Sequence, residues 1–297
     1  MRILLTGRNG QVGWELRRAL SPLGEIVAFD RNEADLAKPE TLAKLVASVR
    51  PHVIVNAAAY TAVDNAETDM ALAYRVNAEA VGVLAEAARE QNALMIHYST
   101  DYVFDGLSST PYIETDPVAP LNAYGASKLA GERAIENAAG DWLTLRTTWV
   151  YGPRGRNFLR TMLRVAGERD SLRVVADQTG APTSARMIAD LTAHVVSQAQ
   201  RERNAGEFES GLFHMTAAGQ TTWHGFASAI IEGARASGKM AIKATSIEPI
   251  SSAEYPTPAR RPLYSMLDND KFDRRFGLGR LDWREGLALA LGDLLEQ

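Results

Sequence analysis

Cysteine is absent from all 297 residues. That excludes disulfides, thiolate metal sites and a cysteine nucleophile together, and it fits a reducing compartment. Histidine is sparse: His52, His97, His194, His214 and His224 lie far apart with no His-Glu-x-x-His spacing, so no metal is expected from them. A surplus of positive charge is missing as well. Lys plus Arg total 32 against 36 Asp plus Glu, a formal charge of −4. No global field exists to hold a phosphate backbone, so no nucleic acid partner is expected. Long apolar runs are lacking too. The opening MRILLTG has too few apolar positions for a signal-peptide core, and no uninterrupted apolar stretch reaches the ~18 residues of a membrane span. No membrane partner and a cytoplasmic location are expected. Neither repeats nor low-complexity tracts occur.

What is present is material for a large core, at 46% hydrophobic residues. Through the first half, apolar β-prone runs alternate with helical periodicity. RILLT precedes a helical pattern from Val12 to Leu20, EIVAF precedes Glu40 to Val49, and HVIVNAA precedes a long pattern from Ala66 to Glu90. LMIHYS, a helix from Tyr124 to Ala139 and the strand WLTLRTTWV follow. Strands with little internal polarity between helices predict a parallel sheet covered on both faces, a doubly wound α/β (Rossmann) fold. After Trp149 the regularity breaks. LRVVAD reads as a short strand, Ala185 to Gln200, Trp223 to Ala236 and Trp283 to Leu295 as helices, and YPTPARRP as a stiff connection. The expected organisation is a dinucleotide-binding domain over 1–150 and a smaller, interleaved substrate-binding region over 151–297. Parts of about 172–205 are expected to return to the sheet.

The segment LLTGRNGQVG puts Gly7, Gly10 and Gly13 where strand 1 gives way to helix 1. Glycine there permits a tight turn, lets a ligand press on the backbone and lets helix and strand pack closely. A pyrophosphate then sits at the helix N-terminus. The spacing G-x-x-G-x-x-G is weak alone, since a plain strand-to-helix turn also uses glycine. About twenty residues on, EIVAFD ends in Asp30, a residue type that accepts from ribose hydroxyls and favours NAD. Arg8 and Arg31 offer cations to a 2′-phosphate, so NADH and NADPH both stay open. ADLAKP brings Asp35 and Leu36 toward the adenine, and VIVNAAAYT brings Ala57, Ala58 and Ala59 to the ligand-bearing end of strand 3.

YGASK, Tyr124 to Lys128, places a phenol and an ammonium on one face of a helix. A cation beside a phenol favours the phenolate and tunes it as a proton donor and acceptor. Carbonyl reduction needs such a group, because hydride delivered to carbon leaves negative charge on oxygen. In isolation the pair is an ordinary exposed helix pair. HYSTDYVFDG, however, puts Ser99, Thr100 and Asp101 at the end of strand 4, where a Thr hydroxyl can hydrogen-bond the substrate oxygen.

GRNGQVG, NAAAYTAVD, YSTDYVF, YGASK and RTTWVYG, with GAPT and YPTPARRP downstream, resemble the extended short-chain dehydrogenase/reductase family along nearly the whole chain. The resemblance implies reduction of the 4-keto group of dTDP-4-dehydro-β-L-rhamnose to dTDP-β-L-rhamnose with NADPH or NADH, a sugar donor for bacterial surface polysaccharide. It implies Thr100, Tyr124 and Lys128 as the catalytic triad, with Tyr124 the proton donor. It implies Gly10, Gln11, Val12, Asp30, Asp35, Leu36, Ala59, Tyr60, Thr61 and Tyr98 along the dinucleotide, and Asp101 and Trp149 at the dTDP-sugar substrate. Trp149 reads equally as a core residue. Arg260 and Arg261, between prolines, suit the substrate diphosphate as forked donors, or are solvated surface arginines. Asn157 and Phe158 are expected nearby.

Some members of the family hold magnesium between subunits with carboxylates. Glu15 fits that pattern, but Arg186 stands where a second carboxylate is expected, and a cation opposes metal binding. No such magnesium is therefore expected, and a homodimer is left open. Two rivals stay in view: an epimerase or dehydratase on the same scaffold, and a non-catalytic regulatory subunit retaining the pocket. Dehydratases follow the Thr with Asp-Glu, whereas Asp101 and Tyr102 follow Thr100 here.

Overall fold

In the computed structural model, residues 1–295 are described. The first half runs β1 (Arg2–Thr6), α1 (Gln11–Ala19), β2 (Glu25–Phe29), α2 (Leu42–Val49), β3 (Val53–Asn56), α3 (Val63–Ala66), α4 (Met70–Tyr74), α5 (Ala80–Glu90), β4 (Leu94–Thr100), α6 (Ala123–Ala138) and β5 (Trp142–Thr147). The second half runs β6 (Val150–Tyr151), α7 (Phe158–Glu168), β7 (Ser171–Val175), β8 (Thr179–Gly180), β9 (Thr183–Ser184), α8 (Ala185–Ala205), β10 (Gly211–His214), β11 (Thr221–Thr222), α9 (Trp223–Ser237), β12 (Ser246–Ile250), α10 (Asp270–Phe276) and α11 (Trp283–Leu295).

Six strands form one sheet in the order β10-β5-β4-β3-β1-β2, and every neighbouring pair is parallel. Strand alternation divides its side chains between two cores. Ile3, Leu5, Val53, Val55, Leu94 and Ile96 face α1 and α8, while Leu4, Ile54 and Met95 face α2 and α5. Each fully buried Leu or Ile contributes roughly 1.5–3 kcal/mol, which is why both faces are covered. The doubly wound fold expected from the alternation is the one observed. The chain leaves β1 toward β2, then crosses back to β3, so a crevice opens beyond the carboxyl ends of β1 and β3.

Beyond β5 the regular winding stops. Three small two-stranded sheets, β7 with β12, β8 with β11 and β6 with β9, carry the second half. Segment 172–205 contributes no strand to the main sheet: β7 pairs with β12 instead, and α8 packs on the sheet and α1. The strand that does return is β10, on the open edge of β5.

Two expected elements are interrupted. The helical pattern from Ala66 to Glu90 is split, with a π-helical turn at Arg75–Glu79 between α4 and α5. The strand expected through Val150 stops at Thr147, because Trp149 takes φ +45°, which turns the chain out of the ladder. Among the described residues no helix is long and apolar enough to cross a membrane.

Candidate active site

A cleft of about 930 Å³ runs along the carboxyl edge of the sheet, from Asp30 and Leu36 at one end to Tyr124, Trp149 and Trp223 at the other. Its floor starts at the glycine turn. Gly7 has φ +75°, and a Cβ there would lie 2.8 Å from Ala58 N and 2.9 Å from the Ala57 carbonyl, so β1 and β3 meet only over glycine. Gly13 does not line the cleft. It lets α1 rest on the turn, since a Cβ would sit 2.1 Å from the Gly7 carbonyl oxygen.

Gly10 is the N-cap of α1 in extended conformation. No side chain caps the helix and no acidic residue stands in its first turn, so free N–H groups and the positive end of the dipole face the cleft. Such a helix end is suited to an anion. Gln11 and Val12 line the cleft beside Ala59, Tyr60 and Thr61. Tyr60 is fixed through its backbone, with N–H donating to Asn77 Oδ1 at 2.8 Å and C=O accepting from Asn77 Nδ2 at 3.0 Å. Asn77 lies in the π-helical turn and also donates to Ser127 Oγ in α6. It was not legible from sequence as a site residue.

At the far end, Asp30 lines the cleft but is already engaged. It accepts from the Asn32 N–H at 2.9 Å and from Arg8 at 2.8 Å. These bonds, against the effect of burial, hold its carboxyl below the usual range. Arg8 is also bound to the Ala28 carbonyl and to Glu33, at 2.8 and 2.9 Å. Its charge is thus neutralised within the protein, and the cation left at this end of the cleft is Arg31, 3.6 Å from Asp35.

Helix α6 delivers Tyr124 and Lys128 to the same cleft, with Thr100 and Asp101 at the end of β4. The helix starts at Asn122, whose Oδ1 accepts from Gly125 N–H at 2.8 Å and whose amide donates to the Arg260 carbonyl at 2.7 Å. Thr100 donates to Asp101 Oδ1 at 2.9 Å. Burial pushes the Asp101 carboxyl up to about 6, against the pull of the Thr148, Thr100 and Ser265 hydroxyls. Burial likewise pushes the Tyr124 phenol up to about 12, against the Thr100 hydroxyl and with the Asp101 charge.

Lys128 departs from expectation. The sequence predicts an ammonium that eases ionisation of Tyr124, yet Nζ donates to the Tyr98 carbonyl at 2.6 Å and lies 3.1 Å from His97 Nε2. Burial pulls its pKa down to about 8, with the Glu132 carboxylate pulling the other way. Desolvation therefore outweighs the neighbouring charge, and the phenol remains a proton-bearing acid. Tyr98 lines the cleft, but its hydroxyl points away to Thr192 of α8 at 2.7 Å.

Three expected substrate residues do not themselves line the cleft. Asn157 caps α7, accepting from Arg160 N–H at 3.1 Å, and its amide ties the loop to Gln11 Oε1 and the Gly152 carbonyl, both at 2.8 Å. Arg261 is clamped bidentately on Asp64 at 2.9 and 2.8 Å, and Arg260 is exposed outside the cleft. The cations lining the cleft among the described residues are Arg31, Lys128 and Arg156. Phe158 packs against Trp223, ring centroids 4.6 Å apart.

Trp149 does line the cleft, stacked on Trp223. Tyr102 lines it too, edge-on to Tyr124 at 5.6 Å. Neither Trp223 nor Tyr102 was singled out from the sequence. Glu15 lies 3.8 Å from Arg186, which also pairs with Asp190 at 3.1 Å. No group of three or more His, Asp or Glu among the described residues is placed to hold a metal ion.

Residues 1–296 match the family described as RmlD substrate binding domain. The chain is 59% identical to a dTDP-4-dehydrorhamnose reductase of Burkholderia thailandensis, with 100% of each chain covered. Among solved structures, a dTDP-4-dehydrorhamnose reductase of Clostridium acetobutylicum aligns with TM-score 0.90 and 36% identity over 100% of each chain. That of Bacillus anthracis, solved in complex with NADP, aligns with TM-score 0.87 and 33% identity, covering 98% of this chain and 99% of that one.

Proposed function

This chain belongs to the RmlD substrate binding domain family, and on that premise we propose how its cleft performs the reaction. It is an oxidoreductase that reduces the 4-keto group of dTDP-4-dehydro-β-L-rhamnose to dTDP-β-L-rhamnose at the expense of a reduced nicotinamide. The observation that carries the mechanism is that Tyr124, Thr100 and Lys128 share one cleft with the uncapped N-terminus of α1.

The residues present fit a dinucleotide. Gly7 lets β1 and β3 close up beneath the cleft, and the free N–H groups of α1 suit a pyrophosphate. Gly7, Gly10, Gln11 and Val12 would hold the diphosphate, Asp30, Asp35 and Leu36 the adenosine end, and Ala59, Tyr60, Thr61, Tyr98 and Lys128 the remainder. When bound, NADH or NADPH supplies the hydride. With Arg8 already bound by Asp30 and Glu33, Arg31 is the cation that would meet a 2′-phosphate among the described residues lining that end.

The chain's own work is acid catalysis and orientation. A phenol held at about 12 keeps its proton throughout the neutral range and gives it only to a strongly basic alkoxide, such as the one that carbonyl reduction creates. Thr100 orients the substrate oxygen toward that phenol. Asp101 and Trp149 contact the sugar nucleotide, and Arg156, exposed at the cleft rim, replaces Arg260 and Arg261 as the cation for its diphosphate. Residues 1–150 bind the nicotinamide and carry Thr100, Asp101 and Trp149 toward the sugar nucleotide, and 151–297 serve mainly the sugar nucleotide, in the cytoplasm.

The test is a spectrophotometric assay of purified protein with dTDP-4-dehydrorhamnose and either NADH or NADPH. Stoichiometric oxidation of the nicotinamide is expected. Sugar turnover without net oxidation would replace reduction by epimerisation or dehydration.

A further inference from the structure

His97 is fully buried in β4 and has no part in the mechanism above. Its ring is held from both sides: Nδ1 lies 3.0 Å from Asn56 Nδ2, and Nε2 lies 3.1 Å from Lys128 Nζ. Asn56 is oriented by what its carbonyl oxygen accepts, the Thr6 hydroxyl at 2.6 Å and the Ala58 N–H at 3.3 Å. Its NH₂ group therefore faces the imidazole. A ring nitrogen facing an NH₂ is an acceptor, so the single proton of the neutral ring resides on Nε2 and points at Lys128.

That proton has a consequence for the lysine. An amine has a lone pair to receive an Nε2–H, and an ammonium has none. The other contact of Nζ, the Tyr98 carbonyl at 2.6 Å, accepts from either form and does not discriminate. We infer that His97 is a positioning residue that couples the charge of Lys128 to its own tautomer. The amine goes with Nε2–H, the ammonium with Nδ1–H.

The exchange balances. Solvent supplies one proton to Nζ, and the ring proton moves from Nε2 to Nδ1. Asn56 turns over to accept from Nδ1–H, its NH₂ now donating to the Thr6 oxygen. The Ala58 contact, the longest of the set, is the one given up. Both buried groups are biased toward neutrality: burial and the facing Lys128 hold His97 well below its ordinary value, and burial acts the same way on Lys128. The charged groups facing this pair are Glu132, one turn along α6, and Arg146 of β5, which grips Glu132 at 2.9 and 2.7 Å. The inference deepens the proposed function, because it sets when the lysine of the reductase site is charged.

The experiment reads the ring directly. Full-length protein labelled with ¹⁵N at the histidine rings and free of ligands is titrated by NMR from about pH 6 to about pH 10, across the range in which a lysine lowered by burial titrates. His97 is assigned by the signals lost in His97→Gln. At the alkaline end Nε2 is expected to carry the proton. Toward the acid end the proton is expected to pass to Nδ1 without the ring becoming doubly protonated. Lys128→Met should abolish the exchange and leave Nε2–H throughout, whereas Asn56→Asp should fix Nδ1–H. A ring that keeps one tautomer across the titration, becomes imidazolium, or switches equally well in Lys128→Met overturns the inference. None of these readings involves turnover, so they stand apart from success or failure of the reductase assay.

Discussion

The indoles of Trp149 and Trp223 lie stacked, centroids 3.6 Å apart and planes within 9°, in the cleft that Tyr124 also lines. One comes from the turn that ends the sheet and the other from the first residue of α9, so the stack joins the two halves of the chain. Gly180 lies against the Trp149 ring, where a Cβ would be 2.6 Å away. The rings thus form a fixed apolar wall.

Removing half of that wall tests its role. Trp223→Ala deprives Trp149 of its support and is expected to raise KM for the sugar nucleotide about tenfold, the effect of ~1.4 kcal/mol of lost binding. The dissociation constant for the nicotinamide should change little. Steady-state kinetics with either substrate varied, beside a fluorescence titration of the nicotinamide, separates the two.

Tyr124→Phe keeps the ring and removes the proton. A loss of about 10²–10⁴-fold in kcat is expected, the usual contribution of a positioned acid. Nicotinamide affinity and thermal stability should be almost unchanged. A variant that kept most of its turnover would end the assignment of Tyr124 as donor.

Asp101 carries a stability cost that depends on pH. Its folded pKa of about 6 lies above the ordinary 3.8, so between those values the folded protein keeps a proton that the unfolded chain releases. Stability therefore falls as pH rises through this window and stays lower above it, by about 3 kcal/mol at most. Asp101→Asn should melt higher than the parent at neutral pH and level with it near the lower limit of the window. Calorimetry at the two pH values checks this, and an equal difference at both would contradict it.

Glu132 and Arg146 form a buried bidentate pair, each side chain 4% exposed. Breaking such a pair leaves one charge uncompensated. Arg146→Met is expected to cost about 3–5 kcal/mol, and Arg146→Met with Glu132→Leu to recover most of it. Denaturant unfolding of both variants measures the difference.

Much of this architecture is written locally. The glycine turn, the apolar strands and the YGASK helix are set by neighbours within a few residues, so Gly7, Gly10, Tyr124 and Lys128, read together from the sequence, line one cleft in the structure. Side chains whose partners are remote behaved differently. Arg261 looked free because its clamp, Asp64, lies 197 residues away in sequence, and Asn157 looked free because Gln11, which it grips, lies 146 residues away. Helical spacing gave the face on which Lys128 sits, but the direction of Nζ is decided by a carbonyl and an imidazole of β4. Trp223 read as an ordinary helix residue, since the positive φ of Trp149 that brings the rings together has no sequence signal.

Strand β10 follows α8 in the chain, yet it occupies the edge of the sheet beside β5. While the polypeptide is emerging from the ribosome, the rim of β5 stays bare until residues 211–214 have been made. A bare rim of main-chain donors and acceptors invites pairing with other nascent chains. Fragments ending before Gly211 should accumulate as inclusion bodies or remain bound to chaperones, whatever nucleotide is supplied.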